Sequence, residues 1–169
     1  MVTLTRIIAI LSSTLLYASG SYAESSVMET KIKAAYLYNF TKFVTWPESQ
    51  DKPLTICIAG DTELARMLEN AVGKSSDRLI INTSIRNGTG ECNLLYLSEG
   101  DTRFDTLLGG AGGKNILTVS DARKFDERGG IVTLFDENGK IRFNINSAAA
   151  RKTNLKISSK LMELSRETR

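Results

Sequence analysis

The most informative absence in this sequence is histidine, because none of its 169 residues is one. Without an imidazole, Ser-His-Asp and Cys-His catalysis, general acid–base chemistry by histidine and histidine metal sites are all excluded. No other set of residues supplies a nucleophile, an activated base and an oxyanion site together. We therefore predict no catalytic residues, no metal site and no cofactor, and we expect a binding or signalling protein.

Long apolar runs are also missing beyond the first two dozen residues, so we predict no further segment that could cross a bilayer. The net charge is +3, and the basic residues are scattered, with no basic stripe or tail. Nucleic acid is therefore not an expected partner.

The N-terminus has the pattern of a secretory signal peptide. Arg6 supplies positive charge, residues 7–18 form a short apolar core, and Ser21 and Ala23 place small residues at a cleavage site. The apolar core is too short for a membrane span, although an uncleaved N-terminal anchor is the alternative. We predict that residues 1–23 are removed and that residues 24–169 form a single secreted domain.

The chain has only two cysteines, Cys57 and Cys92. An even count in a protein exported to an oxidising compartment fits one disulfide. The alternative is a pair of buried free thiols in neighbouring strands, because sequence does not show the geometry that a bridge requires.

The region after residue 53 alternates between apolar runs and amphipathic stretches. Nearly continuous apolar runs predict buried strands, and Asp61 is a suitable N-cap for a helix that buries Leu64 and Leu68. Asn138-Gly139 between two β-rich runs is a strong hairpin signal. The predicted strands are 54–59, 78–85, 92–97, 115–119, 131–135 and 140–145, and the predicted helices are 62–72, a helix holding Phe104, Leu107 and Leu108, a helix from the Asn146-Ser147 cap to about 154, and a last helix after Ser158. This order predicts an α/β sandwich with a mixed, partly parallel sheet flanked by helices.

An aromatic-rich segment, residues 33–47, precedes the first strand. Helical spacing predicts a buried amphipathic helix that ends by Thr45 or Trp46, because Pro47 disfavours helical geometry in the residue before it. Asn39 falls inside the predicted stripe, so we expect its carboxamide to bond a loop or a strand end. The predicted inward residues are Met28, Ile32, Ala35, Tyr36, Asn39, Phe40 and Phe43, with Leu37 and Val44 at the edge and Lys31, Lys33 and Lys42 outside.

Polar residues follow three of the predicted strands, at Asp61, Ser98 and Asp121. The carboxyl ends of strands in an open α/β sheet form the usual ligand crevice, so these residues are a candidate site for a small polar or cationic ligand. Asp and Ser at such positions are also ordinary helix N-caps, and that interpretation remains open.

Several motifs in order resemble the YfiR family of small secreted bacterial proteins. The most specific is AYLYNFTKFVTWP, and it is followed by ICIAGD, CNLLYLS, ILTVSD, GGIVTLF, IRFNINSAAA and ISSKLMEL. Within the family motif we assign mainly structural roles to Tyr36, Asn39, Phe40, Phe43, Trp46 and Pro47. Some members carry a second cysteine pair near the hairpin, which residues 130–145 lack here, so Cys57 and Cys92 would be the sole staple or switch.

The resemblance also implies a function. YfiR-like proteins bind the periplasmic domain of an inner-membrane diguanylate cyclase and hold it inactive. Release, commonly through an outer-membrane peptidoglycan-binding lipoprotein, raises cyclic di-GMP and favours biofilm growth. By this resemblance we expect a periplasmic, homodimeric, non-catalytic repressor. The resemblance does not give the contact surface, for which we predict exposed apolar or aromatic groups on the hairpin and the last helix, such as Phe135, Phe143 and Met162. Two alternatives remain: a periplasmic small-molecule sensor that uses the strand-end crevice, and a hydrolase or transferase that works without histidine.

Overall fold

A computed structural model describes residues 19–47, 52–73, 78–85 and 88–166 of the chain. The elements in chain order are α1 (Ser19–Phe43), β1 (Val44–Thr45), β2 (Leu54–Ala59), α2 (Thr62–Val72), β3 (Leu79–Asn82), β4 (Leu94–Leu97), α3 (Phe104–Ala111), β5 (Leu117–Ser120), β6 (Val132–Glu137), β7 (Lys140–Ile145), α4 (Ser147–Ala150), β8 (Lys156–Ile157) and α5 (Ser159–Leu164). Most of the predicted signal peptide lies outside the described residues, so its boundary stays a prediction. Among the helices that are described, none is long and apolar enough to cross a membrane.

Six strands form one mixed sheet, as predicted, in the order β3-β2-β4-β5-β6-β7. The first five are parallel, and β7 pairs antiparallel with β6 through the predicted hairpin. The parallel strands follow the order of doubly wound sheets, in which the first strand in sequence lies between the second and the third. The change of winding direction therefore falls between β2 and β4.

The two faces of this sheet are covered by different helices. Ile58 and Tyr96 belong to a core cluster that includes Leu37 of α1 and residues of α2. The residues that alternate with them, such as Cys57 and Leu95, belong to a second cluster with α3. This division follows from the alternation of side chains along a strand, and it makes the domain a three-layer sandwich.

The buried face of α1 differs from the predicted stripe. Leu37 and Phe40 are fully buried, whereas Ala35 and Asn39 are exposed and Met28 is 54% exposed. Successive residues of a helix are rotated by about 100°, so the observed buried face lies roughly a third of a turn around α1 from the predicted face. The prediction gave too much weight to the aromatic rings. Tyr36 and Phe43 lie at the border of the buried face of α1, and the aliphatic Leu37 lies at the centre of that face.

Helix caps and the hairpin turn agree with the sequence. The side chains of Asp61, Asn146 and Ser158 each accept a hydrogen bond from the backbone amide three residues later. Asn138 and Gly139 both have positive φ, 55° and 74°, as the two-residue hairpin turn requires.

Element lengths differ where side chains replace regular pairing. Before β4, Cys92 forms a disulfide and Asn93 accepts a bond from the Thr55 amide, so the strand begins later than predicted. Helix α4 ends at Ala150, because the Thr153 hydroxyl donates a hydrogen bond to the Ala150 carbonyl and a turn begins there. The two-residue strands β1 and β8 pair with each other and were not predicted, since such short strands leave no periodic pattern.

Candidate functional site

The predicted crevice residues lie at the carboxyl ends of three neighbouring parallel strands. Asp61 follows β2, Ser98 follows β4 and Asp121 follows β5, so the fold brings them to one edge of the sheet. The carboxylate of Asp61 accepts a 2.9 Å hydrogen bond from the Leu64 amide, which is the capping role. Gly60 has a φ of +82°, and a Cβ there would lie 3.0 Å from that of Ser98, so glycine permits this close approach.

Lys33 of α1 closes this edge of the sheet, although the predicted stripe placed it outside the buried face. Its ammonium lies 2.5 Å from Asp121 Oδ2 and 2.7 Å from Glu29 Oε1, and its side chain is 12% exposed. Burial alone would lower the pKa of Lys33, but hydrogen bonds to Asp121 and Glu29 and their charges outweigh burial, so the pKa is raised. The carboxylate of Asp121 is therefore held in a fixed ion pair.

The hydroxyl of Tyr96 lies beneath this ion pair. Tyr96 is fully buried, and its hydroxyl has no hydrogen-bond partner among the described residues. Burial raises the pKa of Tyr96 most, the charge of the nearby Asp121 carboxylate and its attraction for the hydroxyl proton raise it next, and the charges of Asp61 and Glu29 raise it further. The Asp121 carboxylate is therefore near the hydroxyl, although the two groups do not meet at the distance and angles of a regular hydrogen bond. Tyr96 stays neutral in the physiological range and is no proton acceptor.

The groups at this edge are already engaged within the protein. Asp61 caps α2, Asp121 is paired with Lys33, and the cavity beside Asp121 has a volume of only about 160 Å³. No cluster of three or more Cys, Asp or Glu side chains within the described residues could hold a metal ion. The topology brings the three predicted residues to one edge of the sheet, and a ligand crevice formed by them stays a prediction.

Cys57 and Cys92 form the predicted disulfide, with Cα atoms 5.7 Å apart and a separation of 35 positions in sequence. Both residues are buried on the face covered by α3. The bond ties the middle of β2 to the segment before β4. It therefore staples the two strands between which the winding direction changes.

The aromatic motif forms one packed group with the hairpin. The rings of Tyr36 and Phe40 lie 5.4 and 5.3 Å from that of Phe143, in edge-to-face arrangements. The Tyr36 hydroxyl donates to the Ile141 carbonyl at 3.0 Å. These contacts hold α1 against β7, the edge strand of the sheet.

The remaining motif residues take separate positions. Trp46 is buried, and its indole nitrogen donates to the Asn93 carbonyl at 3.0 Å. Phe43 is half-buried, with the ammonium of Lys160 5.7 Å from its ring centre. Asn39 and Pro47 are exposed, so the expectation that Asn39 is an inward-facing residue of the stripe is wrong.

Comparison with known families decides what kind of protein this is. The sequence profile described as YfiR/HmsC-like matches residues 30–166, which span nearly all of the described chain. This chain belongs to the YfiR/HmsC-like family.

A solved structure shares the fold of this YfiR/HmsC-like chain. It is the crystal structure of a conserved domain protein from Vibrio cholerae O1 biovar El Tor strain N16961, with a TM-score of 0.54 and 13% sequence identity. The match covers 83% of this chain and 60% of the Vibrio chain, so our chain spans less than two thirds of its length. A search of curated protein sequences gave no match.

The predicted contact surface of this YfiR/HmsC-like protein is changed by the structure. Phe143 is only 3% exposed because Tyr36 and Phe40 cover it, so its predicted exposure is wrong. Phe135 and Met162 are partly exposed. Among the described residues, the most exposed large apolar side chains were not predicted to be exposed; they are Val27, Met28, Ile80 and Leu164. One of them had a usable signal, because Ile80 alternates with the inward residues of β3. Leu164 had none, since its spacing of three from the buried Leu161 favours the same face of α5.

Proposed function

We propose that this protein represses an inner-membrane diguanylate cyclase by binding its periplasmic domain, and thereby controls cyclic di-GMP and biofilm formation. The observation that carries the proposal is the family match over residues 30–166. Within the same proposal the protein is exported by its signal peptide, acts as a homodimer and is released by an outer-membrane peptidoglycan-binding lipoprotein.

A non-catalytic mode of action has support from the chemistry of the chain. There is no histidine in the sequence, and the ionisable groups of the strand-end crevice are held in a helix cap and an ion pair. A repressor needs a surface of defined shape and no reacting group. The disulfide and the packed aromatic group would keep such a surface in one conformation.

The proposed contact surface combines the hairpin with α5. The Arg166 amide donates to the Phe143 carbonyl at 3.0 Å, and the Arg166 guanidinium lies 2.6 Å from Glu137, so the end of α5 is tied to the hairpin. Leu164, at the end of α5, is 59% exposed. Phe135 and Met162 remain in the proposed surface as partly exposed apolar residues. Exposed apolar groups of this kind are typical anchors of protein interfaces.

Deletion of the gene tests the repressor function. Cyclic di-GMP and biofilm should rise in the deletion strain, and this rise should disappear when the gene for the partner cyclase is also deleted. Export of the wild-type chain should restore low cyclic di-GMP. Unchanged second-messenger levels after deletion, in a strain that makes the cyclase, would contradict the proposal.

A pair of matched variants tests the contact surface. Leu164→Asp places a charge in the proposed surface, whereas Ile80→Asp makes the same change at β3, the opposite edge of the sheet, where Ile80 is 49% exposed. Leu164→Asp should lose repression while the protein level stays normal, and Ile80→Asp should keep it. Equal repression by the two variants would contradict the assignment of α5 to the contact surface.

A further inference from the structure

A cavity of about 720 Å³ lies at the amino ends of the parallel strands, opposite the strand-end crevice. Its wall contains Thr55 at the start of β2, Asn93 before β4 and Ile116 before β5, together with Trp46 and Asn154 from distant parts of the chain. Its volume falls within the range of small-molecule sites, about 300–1,000 Å³. The cavity beside Asp121 is much smaller, about 160 Å³.

The charged groups around this cavity favour an anion. Lys52 and Lys114 line it, and Glu91 is the one acidic residue among the lining residues. Both lysine side chains are exposed, so their ammonium groups are free to move toward a bound ligand. The wall also contains three asparagines, Asn93, Asn115 and Asn154, which suit hydroxyl groups as well as charge.

Hydrogen bonds within the protein fix the shape of the wall. The Asn93 side chain accepts from the Thr55 amide at 2.8 Å, and the Asn93 carbonyl accepts from the Trp46 indole at 3.0 Å. The Asn115 side chain accepts from the Asn154 amide at 3.0 Å. These bonds use amide and carbonyl oxygens as acceptors, which leaves the two ammonium groups as the strongest binding groups. A preformed wall lowers the entropic cost of holding a ligand.

We propose that this cavity is a binding site for a small polyhydroxylated anion, such as a sugar acid or a sugar phosphate. Lys52 and Lys114 would bind the carboxylate or phosphate, and the asparagine-rich wall would contact the hydroxyl groups. The site is separate from the proposed contact surface on α5 and the hairpin. It does not depend on the repressor function, since binding is measured on the isolated chain.

Gly90 offers a way to close the cavity without straining the backbone. It lines the cavity, its φ lies outside the positive region, and an added Cβ there would have no neighbour within 4 Å. A leucine at this position would therefore meet no clash, and because Gly90 lines the cavity we expect its side chain to take up part of the space. Gly100 has the same freedom but does not line the cavity, so Gly100→Leu is the matched control.

Isothermal titration of the purified chain with glucuronate, glucose 6-phosphate and uncharged glucose tests the proposal. At least one of the charged probes should bind at one site per chain, more tightly than glucose. Gly90→Leu should abolish this binding and Gly100→Leu should keep it. Lys114→Ala should weaken it by about tenfold or more, since hydrogen bonds to charged groups are worth about 1.5–3 kcal/mol. Lys31→Ala, an exposed lysine on α1, should leave it unchanged.

Preference between the two charged probes would tell whether a carboxylate or a phosphate is the natural group. Failure of both to bind at millimolar concentration would overturn the proposal, and so would equal binding of glucose or undiminished binding by Gly90→Leu. Thermal melting shows whether Gly90→Leu is folded. If it is not, the paired Lys52→Ala and Lys114→Ala variants decide, because unchanged affinity in both would overturn the site.

Discussion

Replacing Tyr96 by phenylalanine should leave the protein as stable as the wild type or make it more stable, against the usual effect of a change in the core. Tyr96 is fully buried, and its hydroxyl has no hydrogen-bond partner among the described residues. The folded protein thus bears the cost of removing a hydroxyl from water without the compensating bond. Phenylalanine keeps the ring and its packing and removes only the oxygen.

The expected size of this effect follows from the cost of a buried unsatisfied polar group, about 1–3 kcal/mol. The small space left by the oxygen offsets part of the gain, because buried groups lose contacts when atoms are removed. We therefore expect the free energy of unfolding to change by between zero and about +1 kcal/mol. The melting temperature should rise by at most a few degrees for a domain of this size.

Tyr36→Phe is the matched control, because the same atom is removed from a hydroxyl that has a partner. Tyr36 donates to the Ile141 carbonyl at 3.0 Å. Its loss should lower the free energy of unfolding by about 1 kcal/mol. Urea unfolding, followed by tryptophan fluorescence, measures both variants.

Alkaline pH gives the Tyr96→Phe variant a second signature. Since the folded-state pKa of Tyr96 lies above its ordinary value of 10.0, the unfolded chain loses this proton first. The contribution of the neutral Tyr96 hydroxyl to the free energy of unfolding is fully present below about pH 10, and it is lost as the pH rises from there toward the folded-state pKa. Above pH 10 the free energy of unfolding of the wild type should therefore decrease relative to that of the variant, by up to about 1.4 kcal/mol per pH unit. A loss of more than about 1 kcal/mol in Tyr96→Phe at neutral pH, or identical alkaline profiles, would refute the reasoning.

Three further predictions concern the staple, the helix and the ion pair. Reducing the Cys57–Cys92 bond should cost about 4 kcal/mol for a 35-residue separation, measured by urea unfolding with and without reductant; equal midpoints would contradict it. Phe40→Ala should cost about 3–5 kcal/mol, whereas Asn39→Ala, at the exposed neighbouring position, should stay within about 0.5 kcal/mol; similar melting temperatures would show that the buried line is misplaced. Lys33→Met should cost on the order of 1 kcal/mol, discounted because the ion pair is partly exposed; a stabilised variant in thermal melts would contradict a favourable pair.

Much of the fold was predictable because strong local signals agreed with the final topology. The apolar run at Leu54–Ala59 and the cap at Asp61 each gave a boundary that the structure confirms. The positive φ angles that Asn138 and Gly139 adopt are those that their sequence favours. Strand order, in contrast, was not predicted, since pairing depends on contacts between distant parts of the chain.

The face of α1 was predicted wrongly for a reason that concerns the site. Periodicity shows that a helix is amphipathic, but Leu37 and Tyr36 lie on adjacent sides and sequence alone did not tell which is central. The same error hid Lys33, whose partner Asp121 is 88 residues away in sequence. The larger cavity at the opposite end of the sheet also escaped prediction, because separate segments form its wall.

The most direct test of the central claim is the activity of the cyclase itself. Membrane vesicles with the partner diguanylate cyclase, its periplasmic domain outward and its substrate enclosed, would be titrated with the purified chain while cyclic di-GMP synthesis is measured. The account predicts a saturable fall in synthesis that Leu164→Asp weakens and Ile80→Asp does not. Synthesis that is unaffected by saturating wild-type chain, with no binding to the vesicles, would contradict it.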